Sequence, residues 1–284
     1  MKTLLRLLFI LFFFSVVSKN SFAQNQHSCC AAPATAMFAM LSNDESFKAS
    51  HLSPLPFHYE SPAGQMISFK TSDGNTGSAF EVKSKASTQN YLFVIHEWWG
   101  LNDYIKQQAE QLQNELGNVN VIALDLYDGK VATNPDEASK MMSEAKEERI
   151  RAIINGALGY AGKDAKIQTI GWCFGGGWSL QAAMMAGKQC TGCVMYYGMP
   201  EADTKKIQSI TFPVLGIFAS QDKWITPEKV SSFESEMKKY NKQITVKSFN
   251  ADHAFANPSN PKHDKAATAE AHTMAVDFLR KNLR

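Results

Sequence analysis

Lys166-Ile-Gln-Thr-Ile-Gly-Trp-Cys-Phe-Gly-Gly-Gly177 carries the decisive signal in this chain. Ile167 to Ile170 is a short β-branched run that reads as a buried strand, and Ser179 to Ala186 is compatible with a helix. Between them, Gly171-Trp172-Cys173-Phe174-Gly175-Gly176 has the pattern of a nucleophile elbow, with cysteine where serine is usual. A nucleophile on such a sharp turn sits on strained backbone, and side chains at the flanking positions would strike the adjoining strand and helix. Glycine removes that obstacle. The N–H groups of the following helix would also favour a thiolate at Cys173. The bland alternatives are a phosphate loop or a buried cysteine, and no Lys-Ser/Thr pair follows the glycines to support a phosphate loop.

An elbow nucleophile needs a base and an orienting carboxylate. In the α/β-hydrolase fold these follow later in the chain, acid before histidine, on loops after successive strands. Pro213 to Phe218 reads as one such strand and ends in Ala219-Ser-Gln-Asp222. Ile244 to Phe249 reads as the next and ends in Asn250-Ala-Asp-His253-Ala-Phe255. His253 is therefore the expected base. His27, His51 and His58 fall in the N-terminal extension, His263 and His272 near the final helix, and His96 precedes the elbow. Asp222 is preferred over Asp252, because sequence neighbours in an extended loop point apart, and Asp252 reads as a solvated loop residue.

Tyr91 to Ile95 reads as a central strand leading into His96-Glu97-Trp98-Trp99-Gly100-Leu101-Asn102. Glu97, between a histidine and two tryptophans at a strand end, is the fourth candidate catalytic residue; its bland reading is a loop acid with packed aromatics. Such a loop supplies one backbone N–H of an oxyanion hole and the residue after the nucleophile supplies the other, here Trp98 and Phe174.

Together with Leu124-Asp-Leu-Tyr-Asp-Gly-Lys-Val-Ala132, these segments closely resemble the dienelactone hydrolase family, from about Gly64 to the C-terminus. The resemblance implies a mostly parallel central sheet with helices on both faces and a Cys–His–Asp triad that opens lactones or cleaves esters through an acyl-enzyme. It also implies that Glu97 resembles the glutamate that contacts the resting thiol. One departure bears on substrate. Family members acting on dienelactone carry an arginine four residues after the catalytic histidine, where it clamps the substrate carboxylate; here that position is Asn257. Trp98, Trp99, Tyr127, Phe174, Trp224 and Phe255 are candidate pocket aromatics, and with Asn257 they suggest a neutral or hydrophobic substrate.

The N-terminus reads as a secretory signal: Lys2 and Arg6, an apolar run from Leu7 to Val17, and Ser21-Phe22-Ala23 before a cleavage site. The run is too short for a comfortable membrane span. Cleavage near Ala23 would remove Lys2, Arg6 and Lys19, taking the net charge from +2 to −1 and giving no reason to expect nucleic acid or an acidic surface as partner. The expected product is secreted or periplasmic and monomeric, with no membrane span, no cofactor and no metal. Residues 24–62, rich in Ser, Ala and Pro, read as an arm or linker with some chance of packing on the domain, and residues 63–284 as the single hydrolase domain. Strand-like and helical segments alternate there, with helices expected near Tyr104–Leu116, Asp136–Ala145 and Arg149–Tyr160. Cys190-Thr-Gly-Cys193 has redox spacing but precedes a strand, so a structural or disulfide role is favoured; Cys29 and Cys30 are possible partners. The rivals are a thiol redox protein built on Cys190 and Cys193, and a non-catalytic small-molecule binding protein. A transacylase using the same acyl-enzyme is not separated from a hydrolase.

Overall fold

A computed structural model describes residues 33–283. The proposed signal peptide and Cys29 and Cys30 lie outside the described residues. Eight strands form one sheet: β1 (Gly64–Lys70), β2 (Thr76–Val82), β3 (Asn90–Ile95), β4 (Asn120–Leu124), β5 (Lys166–Trp172), β6 (Cys190–Tyr196), β7 (Val214–Ala219) and β8 (Ile244–Phe249). Their order is β1-β2-β4-β3-β5-β6-β7-β8. β2 pairs antiparallel with both β1 and β4, and every other pairing is parallel. This is the mostly parallel α/β-hydrolase sheet.

Nine α-helices accompany the sheet among the described residues: α1 (Ala34–Ala39), α2 (Glu45–Ser50), α3 (Asp103–Leu116), α4 (Pro135–Glu144), α5 (Glu147–Ala161), α6 (Phe174–Ala186), α7 (Thr204–Ser209), α8 (Pro227–Lys239) and α9 (Lys265–Lys281). Adjacent residues of β5 show how helices cover both faces. Gln168 donates to the Leu279 carbonyl of α9 (3.0 Å), whereas Thr169 donates to the Ser179 carbonyl of α6 (3.0 Å). Successive strand residues point to opposite sides, so α9 and α6 lie on opposite faces. A strand covered twice is buried on both faces, and β5 is buried from Ile167 to Trp172, with its polar Gln168 and Thr169 both hydrogen-bonded.

The helix ends follow local chemistry. Asn102, Asn134 and Asp264 cap α3, α4 and α9 with side-chain oxygens. The helices expected at 104–116, 136–145 and 149–160 are α3, α4 and α5.

The segment read as an arm joins the domain from Ala34 onward. A 3₁₀ turn at Met40–Asn43 links α1 to α2, and the Asp44 carboxylate caps α2 by accepting from the N–H groups of Ser46 (2.8 Å) and Phe47 (3.1 Å). Phe38 and Phe47 are buried, α1 packs on α6, and Ser139 of α4 donates to the Ser42 carbonyl at 2.6 Å. The compact unit takes in these residues. Neither six-residue helix would persist alone in water, so tertiary packing holds them.

Candidate active site

β5 delivers Cys173 to the turn before α6, with φ 58° and ψ −119°. A non-glycine residue there costs about 1–3 kcal/mol of strain. The turn is pinned from both sides: Cys173 N–H donates to the Tyr196 carbonyl and Gly176 N–H donates back to the Cys173 carbonyl, each at 3.0 Å. A Cβ at Gly175 would stand 2.3 Å from the carbonyl oxygens of both Ile95 and His96, so only glycine lets the elbow approach β3 this closely.

The loops after β7 and β8 bring the other two expected residues to the sulfur. His253 Nε2 lies 3.3 Å from Cys173 Sγ, and His253 Nδ1 lies 2.6 Å from Asp222 Oδ2. The second Asp222 oxygen accepts from the N–H groups of Trp224 and Ile225, both at 2.9 Å. Asp252 is exposed. His96 is buried with both nitrogens occupied, Nδ1 donating to the Glu97 carbonyl and Nε2 accepting from Leu126 N–H at 3.1 Å, so it ties strand ends together.

Burial pulls the His253 pKa down, but the Asp222 carboxylate and the Cys173 sulfur outweigh it and hold the imidazole well above its ordinary range. Burial would raise Asp222, yet the His253 charge and the two backbone N–H groups leave it below the usual carboxylate range. At Cys173 burial pushes the thiol up while His253 and the Phe174 N–H pull it back, with a net rise. These directions compete, since a raised thiol keeps a proton that a raised imidazole would claim. The short, charge-assisted contact with Asp222 decides the matter, and we assign the shared proton to His253.

Glu97 does not bond the thiol in this structure. Tyr197 Oη donates to its Oε1 at 3.2 Å, and Asn257 Nδ2 donates to Oε2. Burial lifts the Glu97 carboxyl, with His253 and Tyr197 opposing, to about 7. Its charge works against ionisation of Cys173.

Of the expected pocket residues, Trp99 and Asn257 line one cleft together with Glu97, Trp172 and Ser259. Trp224 and Phe255 line a second with His253 and Asn260. Tyr127 lies against the rings of His96 and Phe174, its hydroxyl buried and without a protein partner. Phe174, expected to offer a backbone N–H, follows the sulfur at the start of α6, and its N–H lowers the thiol pKa. The Trp98 ring is fully buried.

Three site residues were not anticipated. Tyr197, the residue after β6, with φ 34°, sets its ring edge-on to His253 at 5.1 Å. Phe47 of α2 packs on His253 (5.7 Å), Trp98 (5.3 Å) and Trp224 (5.2 Å). His51, just after α2, has its ring centroid 5.3 Å from that of His253 and 4.6 Å from that of Trp98. Burial depresses His51 to about 3, with the His253 charge adding to the effect, so it is neutral. Under this cover Cys173 is 1% exposed. A signal for Phe47 existed in the capping pattern of Asp44, whereas nothing local marked His51.

Cys190 and Cys193 are free, buried thiols on β6. Burial pushes Cys193 to about 11 and Cys190 higher still, the opposite of what a reactive pair requires.

The sequence profile of the dienelactone hydrolase family matches residues 78–283. Protein usf of Aquifex pyrophilus is 27% identical over 237 residues, covering 78% of this chain and 99% of its own. Carboxymethylenebutenolidase 1 of Cupriavidus pinatubonensis is 22% identical, covering 75% and 95%. Among solved structures, a dienelactone hydrolase-like promiscuous phosphotriesterase from metagenomic libraries superposes with a TM-score of 0.66 at 21% identity, covering 78% of this chain and all of its own.

Proposed function

Because the chain belongs to the dienelactone hydrolase family, we propose that Cys173, His253 and Asp222 cleave a small ester or lactone through an acyl-enzyme. The observation that carries the reading is the continuous relay from Sγ to Nε2 (3.3 Å) and from Nδ1 to the Asp222 carboxylate (2.6 Å). The thiolate attacks the carbonyl carbon, and an S–C bond forms as the oxygen takes the electron pair. The Phe174 N–H, at the start of α6, and the backbone N–H of Trp98 hold the oxyanion, each such donor being worth about 10²–10³ in rate. Collapse breaks the C–O bond, and His253 gives its proton to the departing alkoxide. Water then attacks the thioester and yields a proton to His253, and the thiolate leaves with the acid free. Thiolate departs from a tetrahedral intermediate more readily than alkoxide, so the chemistry suits esters and lactones better than amides.

Asn257 supports a neutral substrate. It is uncharged, and its amide is spent on Glu97 and on the Ser259 N–H and hydroxyl, which leaves no bidentate cation to grip a carboxylate. The aromatic cleft lined by Trp99 and Trp172 fits the same reading. Glu97 acts as an electrostatic gate: when protonated it ceases to oppose the thiolate. The N-terminal signal-like segment supports export, and no helix of the described residues is long and apolar enough to cross a membrane.

The deciding experiment compares the mature protein with Cys173→Ala on p-nitrophenyl acetate and longer esters across pH. The expected result is turnover that disappears in the variant while its circular dichroism stays unchanged. Full activity in Cys173→Ala would overturn the triad, and slow alkylation of Cys173 with no turnover in either protein would favour a binding role.

A further inference from the structure

One ligand atom from each of His51, Cys173 and His253 lies within 4.8 Å of the other two, and all three residues are buried. Two neutral-capable imidazoles and a thiol form a donor set that selects thiophilic ions over hard ones such as Mg²⁺ or Ca²⁺.

The second observation concerns His51. Its Nδ1 donates to the Phe47 carbonyl at 2.7 Å, which fixes the tautomer and leaves the lone pair on Nε2. That Nε2 is buried with no protein partner, in a residue only 5% exposed. A buried acceptor left unmatched costs about 1–3 kcal/mol, a penalty that calls for a compensating role. His253 is oriented in the same manner, Nδ1 against the Asp222 carboxylate and Nε2 towards the sulfur. A carbonyl or carboxylate behind each imidazole is the outer-shell arrangement of metal-binding histidines.

We propose that His51 Nε2, Cys173 Sγ and His253 Nε2 form a binding site for a thiophilic d¹⁰ ion of the Zn²⁺ class, with a fourth position open. Bond lengths of about 2.3 Å to sulfur and 2.0 Å to nitrogen place tetrahedral ligand atoms about 3.3–3.7 Å apart. The Cys173–His253 pair, at 3.3 Å, already meets that spacing, and His51, with a ligand atom within 4.8 Å of the other two, closes it by a movement of at most about 1.5 Å. The ion takes a thiolate and two neutral imidazoles; the one proton shared by Cys173 and His253 Nε2 passes to solvent, and the Nδ1 proton stays against Asp222. Asp222 stays ionised behind His253, so the doubly charged ion is balanced by two negative groups. Coordination claims the sulfur lone pair that the proposed hydrolysis uses, so the ion is a reversible inhibitor; this consequence, unlike the binding itself, rests on the proposed triad chemistry.

Binding is read without substrate. Zn²⁺ would be titrated into reduced, metal-free protein against a chromophoric chelator, with Mg²⁺ as the control ion. Co²⁺ would report geometry through its thiolate charge-transfer band and its d–d intensity. The expected result is one ion per chain, a tetrahedral Co²⁺ spectrum with the thiolate band, and affinity at least 100-fold weaker in His51→Ala. His51→Phe, which keeps a ring in the packed position, should lose the same affinity while near-ultraviolet circular dichroism stays native. Zn²⁺ bound equally well by wild type and both His51 variants, or by Cys173→Ala, would overturn the site. Ester turnover lost with Zn²⁺ and restored by chelation would establish inhibition. Tight binding by a protein with no metal-free turnover would sink the hydrolytic reading and leave the metal site standing.

Discussion

Replacing Phe47 with alanine tests whether the N-terminal helices are part of the working enzyme. The ring is fully buried and meets Phe38, Trp98 and Trp224 in edge-to-face geometry with centroids 5.9, 5.3 and 5.2 Å away. Burying the ring is worth about 1.5–3 kcal/mol and each aromatic contact roughly 0.5–1.5 kcal/mol more. With the cavity left behind, Phe→Ala changes of this kind cost about 3–5 kcal/mol. That corresponds to a rise of roughly 10²- to 10⁴-fold in the population with residues 34–51 detached, up to the point where detachment is complete. If the loss is shared by the whole domain, the melting temperature falls by about 6–20 °C. If it stays local, melting changes less while the segment loses its protection. Hydrogen exchange of peptides spanning 34–51, thermal melting and the rate of Cys173 alkylation by iodoacetamide together separate the two cases. In wild type the sulfur is 1% exposed, so alkylation is expected to accelerate in Phe47→Ala. Unchanged exchange, melting and alkylation would refute the idea that this segment packs over the sulfur.

Asp222→Asn places an amide donor against His253 Nδ1–H, favours the wrong tautomer, and should lower kcat by about 10⁴ with the fold retained; a loss under tenfold would remove Asp222 from the relay. The same pair sets a pH window for stability. Asp222 is depressed, so its contribution is present above the ordinary carboxylate value of 3.8 and is lost as pH falls through the folded value. His253 is raised, so its contribution is complete below 6.5 and is lost as pH rises through the folded value. The urea-stability gap between wild type and Asp222→Asn should therefore be widest between 3.8 and 6.5, and a gap flat across pH would contradict the assignment. Glu97 ionises near 7 and then opposes the thiolate, so Glu97→Gln should remove the limb near pH 7 from the alkylation profile of Cys173; a limb that persists would exclude Glu97 as its source. Gly175→Ala forces a Cβ against two carbonyl oxygens and should cost about 1–3 kcal/mol in chemical denaturation, whereas a native-like midpoint would show that the elbow has room to give.

The sheet and the relay were legible because their signals are local and repeated. β5 and β7 are short, largely apolar runs and β8 an alternating one, each ending where the loop presents Cys173, Asp222 or His253, and α/β connectivity brings such loops to one edge. Even the choice of Asp222 over Asp252 followed from how adjacent side chains diverge. The cover was not legible. α1 and α2 have six residues each, too few for periodicity to declare a buried face, and their composition resembles a linker. His51 was set aside with its sequence neighbours because only tertiary packing carries it to His253. Glu97 was found, but its partners Tyr197 and Asn257 lie 100 and 160 residues away and no local pattern links them.

The family profile begins at residue 78, whereas Phe47 and His51 come from the part of the chain before it. The proposed reaction centre thus joins residues inside the family profile to a cover drawn from outside it. Substitutions in the cover can retune what reaches the sulfur without disturbing the nucleophile, its base or their strained scaffold.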